Sequence, residues 1–229
     1  MFARTNGGQV QGVPAQHPPS LNSLLAAALP PRFYLRQLEL RDCCLDAVSL
    51  RQLPVLSSLQ RLDVKGCWTA NGMDEALRAL VQAPALTSLH LRDGYLCCRV
   101  PSSDFRPGTW PAYLLAHPSL RSVTLLSSSG AKWDTEQALL PSTAAAQTVL
   151  EHLTTDGFTT VPPQLAAVTS LRSLSFCGTP FQLTPSALNT LLALPRLTSL
   201  SLPKLSASGR RMAEQLRQAL PGLAVKVCI

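Results

Sequence analysis

Leu35-Arg-Gln-Leu38-Glu-Leu40-Arg-Asp-Cys43-Cys-Leu45 spells L-x-x-L-x-L-x-x-C-x-L, and this frame returns down the chain. It recurs as Leu59, Leu62, Val64, Cys67, then as Leu86, Leu89, Leu91, Gly94, Leu96, and more loosely as Leu120, Val123, Leu125, Ser128. Later copies are Leu150, Leu153, Thr155, Phe158, then Leu171, Leu174, Phe176, Thr179, Phe181, then Leu197, Leu200, Leu202, Leu205. Leu223-Ala-Val225-Lys-Val227 reads as a closing strand. First positions at 35, 59, 86, 120, 150, 171, 197 and 223 give steps of 24, 27, 34, 30, 21, 26 and 26. Most of these fall in or near the roughly 20–29 residues of a repeat built from one strand and one return leg.

Within each frame the fourth and sixth residues share one face of a strand, and the third, fifth and seventh share the other. The fourth and sixth are apolar almost throughout, which predicts a short parallel strand per repeat with its leucines inward. The return legs read as helices. Asp74 to Val81 has helical spacing, Thr184-Pro185 offers an N-cap and a first-turn proline, and Ser208 to Leu220 runs to a stop at Pro221-Gly222. Pro84, Pro118, Pro195 and Pro221 each stand two residues before a frame leucine, where a turn feeds the next strand. The expected fold is an α/β solenoid of about eight units, with a curved parallel sheet on the concave side and helices and loops on the convex side.

Residues 1–20 read as a disordered lead and 21–229 as a single repeat domain. Within it, 21–34 is a capping or partial-repeat helix, Leu21 to Leu29, stopped by Pro30-Pro31. Two oversized steps hold insertions at 97–109 and 130–148. Insertions of this kind bulge from one face of a solenoid and either touch the ligand or drift neutrally.

Leu35, Leu38, Leu40, Cys43, Leu59, Leu62 and Cys67 carry a resemblance to the ribonuclease-inhibitor-like, cysteine-containing leucine-rich repeats. It covers residues 35–229. That group includes the arrays following the F-box in ubiquitin-ligase substrate receptors, so the resemblance implies protein recognition and, as an alternative, contact with a ligase adaptor. Residues 1–34 are too short and too rich in Pro and Gly to supply an F-box. Around Val161-Pro162-Pro-Gln-Leu165-Ala-Ala-Val-Thr-Ser-Leu171 the chain looks instead like the L-P-x-x-L-x-x-L form of shorter repeats, at the 21-residue step.

Composition narrows the function classes. The chain has net charge +7 and 46% hydrophobic residues but only 5% aromatics, so the core is aliphatic. The arginines are scattered, with only Arg210-Arg211 adjacent, which lacks the clustered footprint of a nucleic-acid groove. A basic nucleic-acid-associated accessory role is the third reading. Seven cysteines, an odd number with no C-x-x-C, read as reduced thiols and a cytoplasmic or nuclear setting. Residues 1–38 lack Asp and Glu as organelle leaders do, yet they show no basic amphipathic helix. No apolar run reaches the ~20 residues a bilayer needs, so no membrane is expected. No Walker-type loop, nucleophile elbow or H-E-x-x-H occurs, and neither an enzyme nor a cofactor is expected.

The informative positions are the solvent-facing ones. The seventh carries Arg41, Lys65 and Arg92 in three successive repeats, and the fifth beside it carries Glu39, Asp63 and His90. These six form the candidate partner-binding surface, a positive column beside an acidic one. Isolated surface ion pairs of this type contribute only about 0–1 kcal/mol each, which is the bland alternative. In later repeats the fifth position reads Thr124, Thr154, Ser175 and Ser201, and the seventh reads Leu126, Asp156, Cys177 and Pro203. His90 and His152 stand two repeats apart, roughly 10 Å by strand spacing, too far to share a metal. Cys43 and Cys67 suit the turn after the strand, and Cys97-Cys98-Arg99 is a weaker redox candidate. Trp68, Trp110 and Trp133 read as cover for the edges of the leucine core.

Overall fold

The frame dictates which side chains leave water, and their burial follows it. The computed structural model describes residues 2–5, 8–11, 34–41, 44–45, 57–66, 68–69, 83–92, 117–126, 149–178 and 181–228. Fourth-position Leu38, Leu62, Leu89, Val123, Leu153, Leu174 and Leu200 are all exposed by 5% or less. First-position Leu35, Leu59, Leu86, Leu120, Leu150, Leu171 and Leu197 are buried too, as are the sixth-position residues from Leu40 to Leu202. Each such side chain contributes about 1.5–3 kcal/mol, an upper figure because unfolded chains already bury some surface. Thr155 takes a sixth-position slot fully buried, its hydroxyl donating to the Asp156 carbonyl at 3.2 Å.

The chain forms two compact units, residues 1–104 with 127–129, and residues 105–126 with 130–229. In the first, β1 (Phe2–Thr5) and β2 (Gly8–Gln11) make an antiparallel hairpin within the stretch expected to be a loose lead. The frame strands β3 (Gln37–Arg41), β5 (Arg61–Lys65) and β7 (Ser88–Arg92) pair in parallel. Leu38, Leu62 and Leu89 lie in one register line, and Leu40, Val64 and Leu91 in another. Just beyond them β4 (Cys44–Leu45) and β6 (Trp68–Thr69) form a second short parallel ladder, at the frame's tenth and eleventh residues.

The second unit continues the frame in five strands: β8 (Ser122–Leu126), β9 (His152–Thr155), β10 (Ser173–Phe176), β11 (Ser199–Leu202) and β12 (Ala224–Val227). All are parallel and in chain order, with Val123, Leu153, Leu174, Leu200 and Val225 in line. Phe158, Phe176 and Phe181 extend the core behind β9 and β10, with ring centroids 6.2 and 4.9 Å apart in succession.

The strands are phased by one repeated device. The carbonyl of the frame's second residue accepts two N–H groups from the second and third residues of the following repeat. Arg36 O takes Gln60 and Arg61, Gln60 O takes Thr87 and Ser88, Arg121 O takes Glu151 and His152, Glu151 O takes Arg172 and Ser173, and Arg172 O takes Thr198 and Ser199, all at 2.8–3.0 Å. Entry to the strand is a tight turn. Leu86 N donates to Ala83 O, Leu197 N to Leu194 O and Leu223 N to Leu220 O, with Pro84, Pro195 and Pro221 at the second turn position, where a fixed φ fits.

The return legs differ in kind. Thr184 caps helix α1 (Pro185–Leu192), its hydroxyl accepting from Ala187 N at 3.1 Å, as the Thr-Pro pair predicts. Helix α2 (Ala207–Ala219) is capped by Ser206, whose Oγ accepts from Gly209 N at 3.2 Å. The 21-residue repeat returns through a 3-10 segment, Pro163–Ala167. Two consecutive prolines there lack N–H donors, and a short leg suits the tighter helix. The expected helices at 21–29 and 74–81, Cys43, Cys67, Cys97, Cys98, Trp110, Trp133 and the insertions at 97–109 and 130–148 lie outside the described residues.

Candidate functional site on three charged strands

Alternation along β3, β5 and β7 turns their third, fifth and seventh residues to the outer face of the sheet. Parallel pairing then sets them in rows. Glu39, Asp63 and His90 are register partners, and so are Arg41, Lys65 and Arg92. All six predicted residues therefore share one face of the first unit, with the fifth-position row half-buried and the seventh-position row exposed.

Within the rows the charges engage each other. Arg41 Nε donates to Glu39 Oε1 at 2.6 Å. Asp63 meets two cationic or ionisable neighbours at one oxygen, with Arg61 Nη2 at 3.6 Å and His90 Nδ1 at 3.9 Å from Oδ2. Arg92 Nη2 lies 3.3 Å from the same His90 Nδ1. The His90 side chain is 15% exposed and that of Asp63 23%. Burial lowers the imidazole pKa below its ordinary value; Arg61 and Arg92 push the same way, and Asp63 opposes them.

Arg61, in the third-position column, belongs to this cluster although the sequence pattern singled out only the fifth and seventh. Its signal was available, since residues i and i+2 of a strand share a face and Arg61 precedes Asp63 by two. A second ionic group was also missed. Glu151 stands between Arg121, at 2.7 Å, and Arg172, at 4.0 Å, all at the frame's second position in the second unit.

The same columns in the second unit are not ionic in this way. Their fifth positions carry Thr124, Thr154, Ser175 and Ser201, and their third positions Ser122, His152, Ser173 and Ser199. Thr124, expected to face solvent, is only 9% exposed. Asp156 and Cys177 occupy the seventh positions of β9 and β10, where burial pushes the Cys177 thiol up, Ser175 lowers it by a hydrogen bond and Asp156 adds to the rise. Among the described residues no three His, Cys, Asp or Glu side chains gather as a metal site would need.

No family model matches the chain, and no curated protein does. Among solved structures it is similar to an internalin (inlF) from Listeria monocytogenes str. 4b F2365, with 13% identity and a TM-score of 0.47. That alignment covers 91% of this chain and 66% of the internalin chain, just under two thirds of its length. What makes this a leucine-rich-repeat fold is its own construction, a frame of buried leucines repeated through parallel strands held in register within each unit.

Proposed function

We propose that the chain is a non-enzymatic protein-recognition module that holds a partner protein on the outer face of β3, β5 and β7. Glu39, Arg41, Asp63, Lys65, His90 and Arg92 supply the polar contacts. The observation that carries this reading is the contrast between two stretches of one frame. Folding asks only for polar residues on that face, and β10 and β11 meet the need with serines. On β3, β5 and β7 the frame instead stacks Arg41, Lys65 and Arg92 in a line, one per strand. Like charges directly opposite each other across strands cost stability. A partner of complementary charge offsets that cost.

The test is the triple reversal Arg41→Glu, Lys65→Glu, Arg92→Glu, compared with the unaltered protein in affinity capture from cells read by mass spectrometry. Loss of the captured proteins at unchanged thermal unfolding is the expected result; an unchanged set removes the proposal. The finer reading, a ubiquitin-ligase substrate receptor in the cytoplasm or nucleus, draws support from the likeness of Leu35 to Cys67 to ribonuclease-inhibitor-like repeats. Adaptor and cullin subunits in the captured set would favour it, and RNA-bound proteins would favour the nucleic-acid-associated alternative. Among the described residues no helix is long and apolar enough to cross a membrane.

A further inference from the structure

One nitrogen on this face has two suitors. His90 Nδ1 lies 3.3 Å from Arg92 Nη2 and 3.9 Å from Asp63 Oδ2. A ring nitrogen serves only one of them at a time: its lone pair accepts from a guanidinium, or its N–H donates to a carboxylate. With the lone pair present, Arg92 is tied to the ring and Asp63 answers Arg61 at 3.6 Å. With a proton there, ring and guanidinium oppose each other as like charges, and Asp63 turns from Arg61 to the imidazolium. A single proton thus adds one positive charge and releases two arginines.

The surrounding charges are Arg61, Asp63 and Lys65 on β5, Arg92 on β7 itself, and the Glu39–Arg41 pair on β3. Cations outnumber carboxylates, which favours an anionic visitor. The carboxylates lie alongside the cationic column of Arg41, Lys65 and Arg92, and Asp63 has Arg61 on its other side as well. A phosphodiester chain, with a charge on every unit, meets repulsion from Glu39 and Asp63. A peptide brings spaced carboxylates, and its own N–H groups answer those two acids.

We propose that the outer face of β3, β5 and β7 receives a carboxylate-rich segment of a partner protein, and that a proton at His90 Nδ1 tightens its hold by releasing Arg92 and Arg61 to the incoming carboxylates. This rests on the reading of that face as the partner site and adds the partner's chemistry and its regulation. Burial and the two guanidiniums keep the imidazole below its ordinary value of 6.5, so the tight state belongs to acidic conditions.

The probe is a fluorescein-labelled (Asp-Gly)4 peptide, titrated against the full chain by anisotropy at pH 7.5 and 5.5 and constant ionic strength. Its carboxylates are ionised at both values. The Kd is expected to fall about fivefold on acidification, the scale of one added charge at ion-pair range when water screens it fully. His90→Asn, uncharged throughout, loses that fall, and Asp63→Asn reduces it, because Arg61 is then already free at pH 7.5 and the ring has lost the carboxylate that favours its charge. His152→Asn, in the other unit, retains it. A fall that persists in His90→Asn, one that keeps its full size in Asp63→Asn, or a Kd unchanged by pH in the unaltered protein overturns the gate. Tighter binding of a labelled dT8 oligonucleotide than of the peptide overturns the partner class. If the triple reversal of Arg41, Lys65 and Arg92 leaves cellular partners in place, the site reading itself has failed. If it removes them while the peptide shows no response to pH, only the gate has failed.

Discussion

Cys177 follows the buried Phe176 on β10 and is half-buried, with its thiol pushed up by burial and by Asp156. A thiol held protonated is a poor nucleophile. Iodoacetamide at pH 7.5 should therefore modify Cys177 about tenfold more slowly than the exposed Cys228. Peptide mapping over time measures this, and equal rates would show that the thiol is not shielded. At this scale the sequence was legible wherever period and polarity agreed. Leu62 and Leu174 read as core because they are apolar at a fixed phase. Arg61 escaped notice because its role depends on which neighbour Asp63 chooses, and composition does not record that. His117 escaped for a different reason. It is 1% exposed, at a turn position where Ala83 and Leu194 are apolar, and its Nδ1 accepts from Ser119 N at 3.2 Å. Pro118 announced the turn, but nothing announced a histidine inside it.

Helix α2 illustrates what capping decides. Ser206 and Ser208 both suit a helix start, and the spacing of apolar residues does not choose between them. The geometry does, because Ser206 Oγ accepts the Gly209 N–H. Ser206→Ala should cost about 1 kcal/mol in urea unfolding, and Ser208→Ala a few tenths at most. Equal losses would mean that the cap does not anchor the helix. At the other end of α2, Arg217 bridges Glu214 at 2.8 Å and donates to the Val225 carbonyl on β12 at 3.0 Å, tying the last return leg to the last strand. Thr184-Pro185 was legible because cap and first-turn proline coincide. The Pro163–Ala167 segment was legible as a shortened repeat, but its 3-10 winding follows from chain length and missing donors rather than from residue preference.

In a stacked array each repeat leans mainly on its neighbours, so damage should stay local. Leu174→Ala in β10 leaves a cavity in a fully buried position and should lower stability by about 2–5 kcal/mol. Hydrogen exchange should then accelerate in β9, β10 and β11 before it changes in β3 and β5. Uniform acceleration across both units would contradict nearest-neighbour behaviour. The α/β repeat architecture was readable because seven frames repeat one inward pattern, and register between parallel strands follows once that pattern is shared. The charged face of β3, β5 and β7 was only half readable: alternation put six side chains on one face, but which charges pair there depends on side-chain geometry. The doubled hydrogen bond at the second carbonyl, made at Arg36, Gln60, Arg121, Glu151 and Arg172, has a wider meaning. Legs of 21 and 26 residues deliver β10 and β11 to the same phase, because alignment is set anew at the Glu151 and Arg172 carbonyl oxygens. Such a molecule can gain or lose residues on its outer bends across generations while its exposed strand face stays ruled to the same lines.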